Sequence, residues 1–167
     1  ISKWLDEIES FPFLDAISRS VEIKAEIVSR DEQESGLRRI LNFGHTIGHA
    51  IEAHFEYKDV KHGEAVLWGM FIEARISMLH GLLSEDEFMQ LESFLSRVPL
   101  KLALGGIKSD KLYDLMRADK KVKDGRIRFA LPTAVGKMAV IDDVSFDTID
   151  AALCYAQAHG WSLKVFT

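Results

Sequence analysis

Leu37-Arg-Arg-Ile-Leu-Asn-Phe-Gly-His-Thr-Ile-Gly-His-Ala-Ile-Glu52 is the stretch that decides how the whole chain is read. Apolar residues recur through it at helical spacing, which predicts one helix over Leu37–Phe55. On a helical wheel, Arg38, Asn42, His45, His49 and Glu52 fall in one stripe roughly 80° wide. Ile40, Phe43, Ile47, Ala50 and Ile51 fall on the other side, as a core face. A solvated helix face is ordinarily built of Lys and Glu; a cation, an amide, two imidazoles and a carboxylate in line have a different chemistry. Gly44 and Gly48 add to this, because a glycine in a helix interior costs about 1 kcal/mol relative to alanine. Their presence beside the histidines predicts that something approaches the helix backbone closely.

His45 and His49 are four residues apart, so both can meet one ion or one ligand. Metalloprotease helices share this spacing but carry Glu directly after the first His. Thr46 occupies that position, which excludes the class. The next candidate ligand is His62, in the polar turn Glu56–Gly63, because neutral imidazole suits zinc and related divalent metals. Lys24 and the cluster Asp119-Lys120-Lys121, each taken alone, read as surface charge. Together with Arg38 they can surround an anionic substrate, since Lys and Arg are the natural partners of carboxylate and phosphate.

Working outward, Leu14, Ile17, Val21, Ile27 and Val28 predict a helix over Phe13–Arg30, and Asp31–Gly36 reads as a loop. Glu64–His80 is a very apolar helix stopped by Gly81. Ser84 with Glu87 forms a capping box for a fourth helix that ends before Pro99, and Lys108–Asp119 reads as a fifth. Arg126–Leu131 and Lys137–Ile141 read as short strands with Pro132 and Gly136 in the turn between them, and Ser145–Ala158 returns to helix. The fold class expected is mainly α: a multihelical single domain over residues 1–167 with a small β-hairpin. Hydrophobic residues make up 47% and charged residues 28%, an ordinary globular composition. The formal charge of -5 argues against a nucleic-acid surface. Cys154 is the only cysteine, which excludes an internal disulfide and fits a reducing, cytoplasmic compartment. No apolar run is long enough to span a bilayer, and no signal-peptide pattern opens the chain.

Four stretches, in order, resemble the dehydroquinate synthases. They are Val21-Glu-Ile-Lys-Ala-Glu-Ile-Val28 followed by Asp31; Arg38 to Glu52; His62-Gly-Glu-Ala-Val66 with Gly69-Met70; and Asp119-Lys-Lys121 with Gly125, Leu131-Pro132 and Gly136. The resemblance runs over about Ser20 to Val144. The two histidine motifs together are specific for the wider sugar-phosphate cyclase group, and less so for one member of it.

The resemblance implies the carboxy-terminal half of a two-domain enzyme whose amino-terminal α/β domain binds NAD. That amino-terminal domain is expected to be absent here, since the chain opens at Ile1 and carries no glycine-rich nucleotide fingerprint. The implied reaction converts 3-deoxy-D-arabino-heptulosonate 7-phosphate to 3-dehydroquinate and phosphate, with NAD and a divalent zinc or cobalt ion. His45 and His62 match metal ligands; the third, a glutamate in an Ala-Glu-x-x-Lys motif, does not occur, so the site is expected to be incomplete and the chain alone inactive. Lys24, Arg38, Asn42 and His49 match substrate contacts, as does one lysine of Lys120 and Lys121. The implied partners are a phosphorylated sugar-acid, the chain's own amino-terminal domain and a second copy in a full-length homodimer, with no nucleic acid and no membrane. Two rival readings stand beside this one: another sugar-phosphate cyclase or metal-dependent polyol dehydrogenase, and a non-enzymatic helical interaction domain.

Overall fold

The computed structural model describes residues 10–33, 36–58, 60–120, 126–142 and 144–158, without the side chains of 119 and 120. It divides into two units, residues 1–41 and 42–167. In the first, α1 (Phe13–Arg30) has the bounds expected from the periodicity. It is amphipathic without being buried: Leu14, Ile17 and Val21 on its apolar stripe are exposed. After it, Asp31 organises the loop. Its Oδ2 accepts from the backbone N–H groups of Gly36 at 2.8 Å and Arg38 at 2.9 Å, which turns the chain into a 3-10 helix, Leu37–Asn42.

The second unit is built around α3 (His62–Leu79), which is apolar on nearly every side and is buried accordingly. It packs against α2 (His45–His54), α4 (Glu85–Leu95), β1 (Arg128–Ala134) and α6 (Phe146–Ala158), while α5 (Ser109–Lys120) lies against α2 and α6. The core joins Ile47 and Ile51 of α2, Ile72 and Ile76 of α3, Phe88 of α4, Leu112 and Met116 of α5, Phe129 and Leu131 of β1, and Ile149 and Leu153 of α6. Ser84 and Glu87 form the expected reciprocal capping box on α4.

The hairpin pairs β1 antiparallel with β2 (Lys137–Asp142), from Arg128 opposite Asp142 to Pro132 opposite Met138. Pro132 therefore lies inside the strand and not in the turn, which is left to Val135 and Gly136, the latter at φ +78°. A proline is tolerated because the sheet, among the described residues, has two strands and its free edge needs no ladder donor. The Pro132 carbonyl accepts from the Ser77 hydroxyl of α3, and the Arg128 carbonyl accepts from Thr46 Oγ1 of α2 at 2.8 Å, so the hairpin is fastened to both helices.

Two expectations need correction. Leu37–Phe55 is not one helix: the 3-10 segment ends at Asn42, Gly44 takes the left-handed conformation at φ +80°, and α2 starts afresh at His45. The five-residue polar stripe therefore does not exist as one face; His45, His49 and Glu52 keep it, and Arg38 and Asn42 lie before the break. His62 is the first residue of α3, not part of the preceding turn. What approaches the glycines is α3 itself. A Cβ at Gly44 would stand 2.5 Å from the Val66 carbonyl oxygen, one at Gly48 3.1 Å from Val66 Cα, and one at Gly69 1.9 Å from the Gly44 carbonyl oxygen. Helices α2 and α3 cross backbone to backbone, and glycine is the residue that allows it.

Candidate metal and substrate site

That crossing brings three imidazoles together. The ring centres of His45 and His49 are 5.5 Å apart, those of His45 and His62 5.4 Å, and those of His49 and His62 5.9 Å. An ion bound at the usual zinc–nitrogen distance lies about 3.2 Å from a ring centre, so two rings on one tetrahedral ion stand roughly 5 Å apart. The ring spacing is of that order. The ligand atoms that lie within 4.8 Å of one another are those of His49, Glu52 and His62, a group that does not include His45.

The protons on two of these rings can be assigned from their partners. His45 Nδ1 is 3.1 Å from the Phe43 carbonyl oxygen, which only accepts, so Nδ1 carries a proton. His62 Nδ1 lies 3.1 Å and 3.2 Å from the two carboxylate oxygens of Glu52, to which it likewise donates. In the neutral form of either ring the lone pair is thereby left on Nε2, where it can ligate a divalent metal. Glu64, in the same His-Gly-Glu motif, faces away from this work. Its Oε1 accepts from the Lys101 backbone N–H at 2.7 Å and ties down the segment after α4.

Position in the site is fixed from beneath by Glu73, a residue that no motif in the sequence singles out. It is fully buried on α3, and it accepts from Gly44 N–H at 2.6 Å and Ile47 N–H at 3.1 Å. Gly44 has no side chain with which to cap α2, so a carboxylate from the neighbouring helix does it. The dipole favours a negative group there. The same contact occupies amide donors that a substrate phosphate at this helix N-terminus would need. The signal in the sequence was an acidic residue inside an apolar helix, with Gly69 and Ser77 at i-4 and i+4 and so no cation in reach along its own helix.

Lys24 is exposed on α1, and the Arg38 guanidinium donates to the Glu32 carbonyl at 3.1 Å within the first unit. Asn42 is exposed at the end of the 3-10 helix. The Lys120 side chain and all of Lys121 lie outside the described residues.

The fold is that of the sugar-phosphate cyclases. It resembles 2-epi-5-epi-valiolone synthase from Streptomyces hygroscopicus subsp. jinggangensis, solved with NAD+ and Zn2+ bound, with a TM-score of 0.72 and 25% identity over 88% of this chain and 41% of that one. It also resembles 2-deoxy-scyllo-inosose synthase, solved with carbaglucose-6-phosphate, NAD+ and Co2+, with a TM-score of 0.66 and 26% identity over 82% of this chain and 39% of that one. Within that class the chain belongs to the 3-dehydroquinate synthase family, whose carboxy-terminal domain model matches residues 3–122. It is 43% identical to the 3-dehydroquinate synthase of Idiomarina loihiensis over 138 residues, 83% of this chain and 39% of that protein. It is 39% identical to that of a Synechococcus species over 161 residues, 89% of this chain and 44% of that protein. The chain thus spans about two fifths of the length of these relatives.

Proposed function

We propose that this chain supplies the metal and substrate residues of a 3-dehydroquinate synthase and works with an NAD-binding domain in the cytoplasm. On this reading the enzyme converts 3-deoxy-D-arabino-heptulosonate 7-phosphate to 3-dehydroquinate and phosphate and acts as a homodimer. The observation that carries it is the convergence of His45, His49 and His62 in a chain of this family. His45 and His62 hold a zinc or cobalt ion through Nε2, and a carboxylate from the partner domain completes the set. The ion supplies Lewis-acid polarisation of the hydroxyl that gives up hydride.

The remaining residues act by charge and position. His49, one turn beyond His45, offers a hydrogen-bond donor to an oxygen of the substrate. Lys24 and Arg38, by their charge, can hold the substrate carboxylate, and His49 with Lys120 or Lys121 can face its phosphate end; Asn42 completes the substrate contacts. A carboxylate requirement separates this reading from that of another cyclase. The test is turnover by this chain joined to its NAD-binding domain, comparing 3-deoxy-D-arabino-heptulosonate 7-phosphate with a phosphorylated sugar that has no carboxylate. Phosphate release from the first alone is expected. Equal or faster release from the second refutes the assignment in favour of another cyclase. Among the described residues no helix is long and apolar enough to cross a membrane.

A further inference from the structure

Glu52 has no part in the proposed chemistry, yet its carboxylate is in direct contact with the His62 ring of the imidazole cluster. Its side chain is 12% exposed, whereas that of His62 is 57% exposed. A half-solvated histidine at the first turn of a helix is ordinarily free to rotate and to exchange tautomers. Here both carboxylate oxygens face one ring nitrogen, Nδ1, at 3.1 Å and 3.2 Å. Glu52 lies on α2, ten residues back along the chain from His62, so the contact also ties the start of α3 to the helix that carries His45 and His49.

We infer that Glu52 is a positioning residue of the metal centre: it holds the His62 ring with the proton on Nδ1 and the Nε2 lone pair turned toward the cation. This rests on the proposal that His45 and His62 bind a metal. Geometry separates holding from ligating. In imidazole the two nitrogens point about 144° apart, so an ion at ligand distance from Nε2 lies roughly 7 Å from an oxygen hydrogen-bonded to Nδ1. While Glu52 keeps this hydrogen bond it cannot also reach an ion on Nε2. A carboxylate behind a ligating histidine fixes the ring and raises its basicity, and loss of such a partner typically weakens metal binding about 10- to 100-fold.

Two measurements on the chain decide it. The first is the long-range nitrogen–proton correlation spectrum of the histidine rings in metal-free protein at about pH 8, where imidazole is neutral. Wild type is expected to show His62 as the Nδ1–H tautomer. Glu52→Ala is expected to shift it to Nε2–H, and Glu52→Gln, whose amide oxygen still accepts, to retain Nδ1–H. The second is titration with cobalt(II) alone, followed by visible absorbance, with circular dichroism confirming that each variant is folded. Glu52→Ala is expected to weaken cobalt binding about 10- to 100-fold and Glu52→Gln by only a few fold. The inference is overturned by Nε2–H on His62 in wild type, by unchanged cobalt affinity in Glu52→Ala, or by loss of cobalt binding in both variants, which makes Glu52 a ligand. No cobalt uptake by wild type even when the chain is joined to its NAD-binding domain, which supplies the third ligand, overturns the metal reading itself, and the tautomer of His62 then still reports whether Glu52 holds the ring.

Discussion

Replacing Gly69 with alanine tests the helix crossing on which the site depends. The added Cβ would stand 1.9 Å from the Gly44 carbonyl oxygen, 2.7 Å from its carbon and 2.9 Å from Gly48 N. Ordinary non-bonded contact is about 3.5–4.0 Å, so the overlap exceeds an ångström. All three atoms are backbone, and none can rotate aside. Overpacking of a core typically costs about 1–3 kcal/mol and sometimes more; the better helix propensity of alanine returns about 1 kcal/mol. With the obstacle rigid the cost falls at the upper end of that range, so a net loss of about 2 kcal/mol is expected, or a fall in Tm of about 4–8 °C for a chain of this size. Gly63 is the control, since nothing lies within 4 Å of a Cβ there, and Gly63→Ala is expected to change stability by less than about 1 kcal/mol. Urea unfolding of the two variants against wild type gives both numbers. Because α2 must move off α3, Gly69→Ala should weaken cobalt binding as well. A urea midpoint for Gly69→Ala equal to wild type would refute the backbone contact and the account of the glycines built on it.

Glu73→Ala leaves the buried N–H groups of Gly44 and Ile47 unpaired, at about 1–3 kcal/mol each, and Glu73→Gln keeps one acceptor; urea midpoints should therefore fall in the order wild type, Gln, Ala. A midpoint for Ala above that for Gln contradicts the capping role. The Ser84 hydroxyl and backbone N–H hold Glu87 below the ordinary glutamate pKa range, so their stabilisation is present at neutral pH and is lost as pH falls through that lowered value. The Tm difference between wild type and Ser84→Ala should accordingly be largest near neutrality and shrink in acid; a gap that stays constant with pH argues against the capping box as its source. Thermal unfolding of the chain alone should be cooperative, given the single core of the second unit, and strong dye binding with a broad melt would count against it. Calorimetry should find no micromolar NAD+ binding to this chain by itself, because the sequence has no glycine-rich strand-turn-helix fingerprint.

What could be read from the sequence was whatever is local. The Phe13–Arg30 helix, the Ser84–Glu87 cap and the apolar α3 follow from periodicity and capping chemistry within one segment. The break at Gly44 was hidden because the apolar spacing runs straight through it; only the contact with Val66 and Met70 of α3 makes the left-handed turn necessary. Pro132 looked like a turn residue because a free sheet edge cannot be foreseen from one strand. The histidines were legible by type and by their four-residue spacing, and His62 by its motif. The roles of Glu52 and Glu73 were not, since each acts across the α2–α3 crossing, on a partner ten or more residues away.

If His45, His49 and His62 meet one divalent ion and its bound substrate, the neighbours of that ion can be read by X-ray absorption at the zinc edge of the zinc-loaded chain. A nitrogen and oxygen shell at about 2.0–2.1 Å is expected, with outer-shell scattering from at least two imidazoles, reduced by one ring in His45→Ala and in His62→Ala. A sulfur shell at about 2.3 Å from Cys154, or a spectrum without imidazole scattering that neither substitution changes, would contradict it.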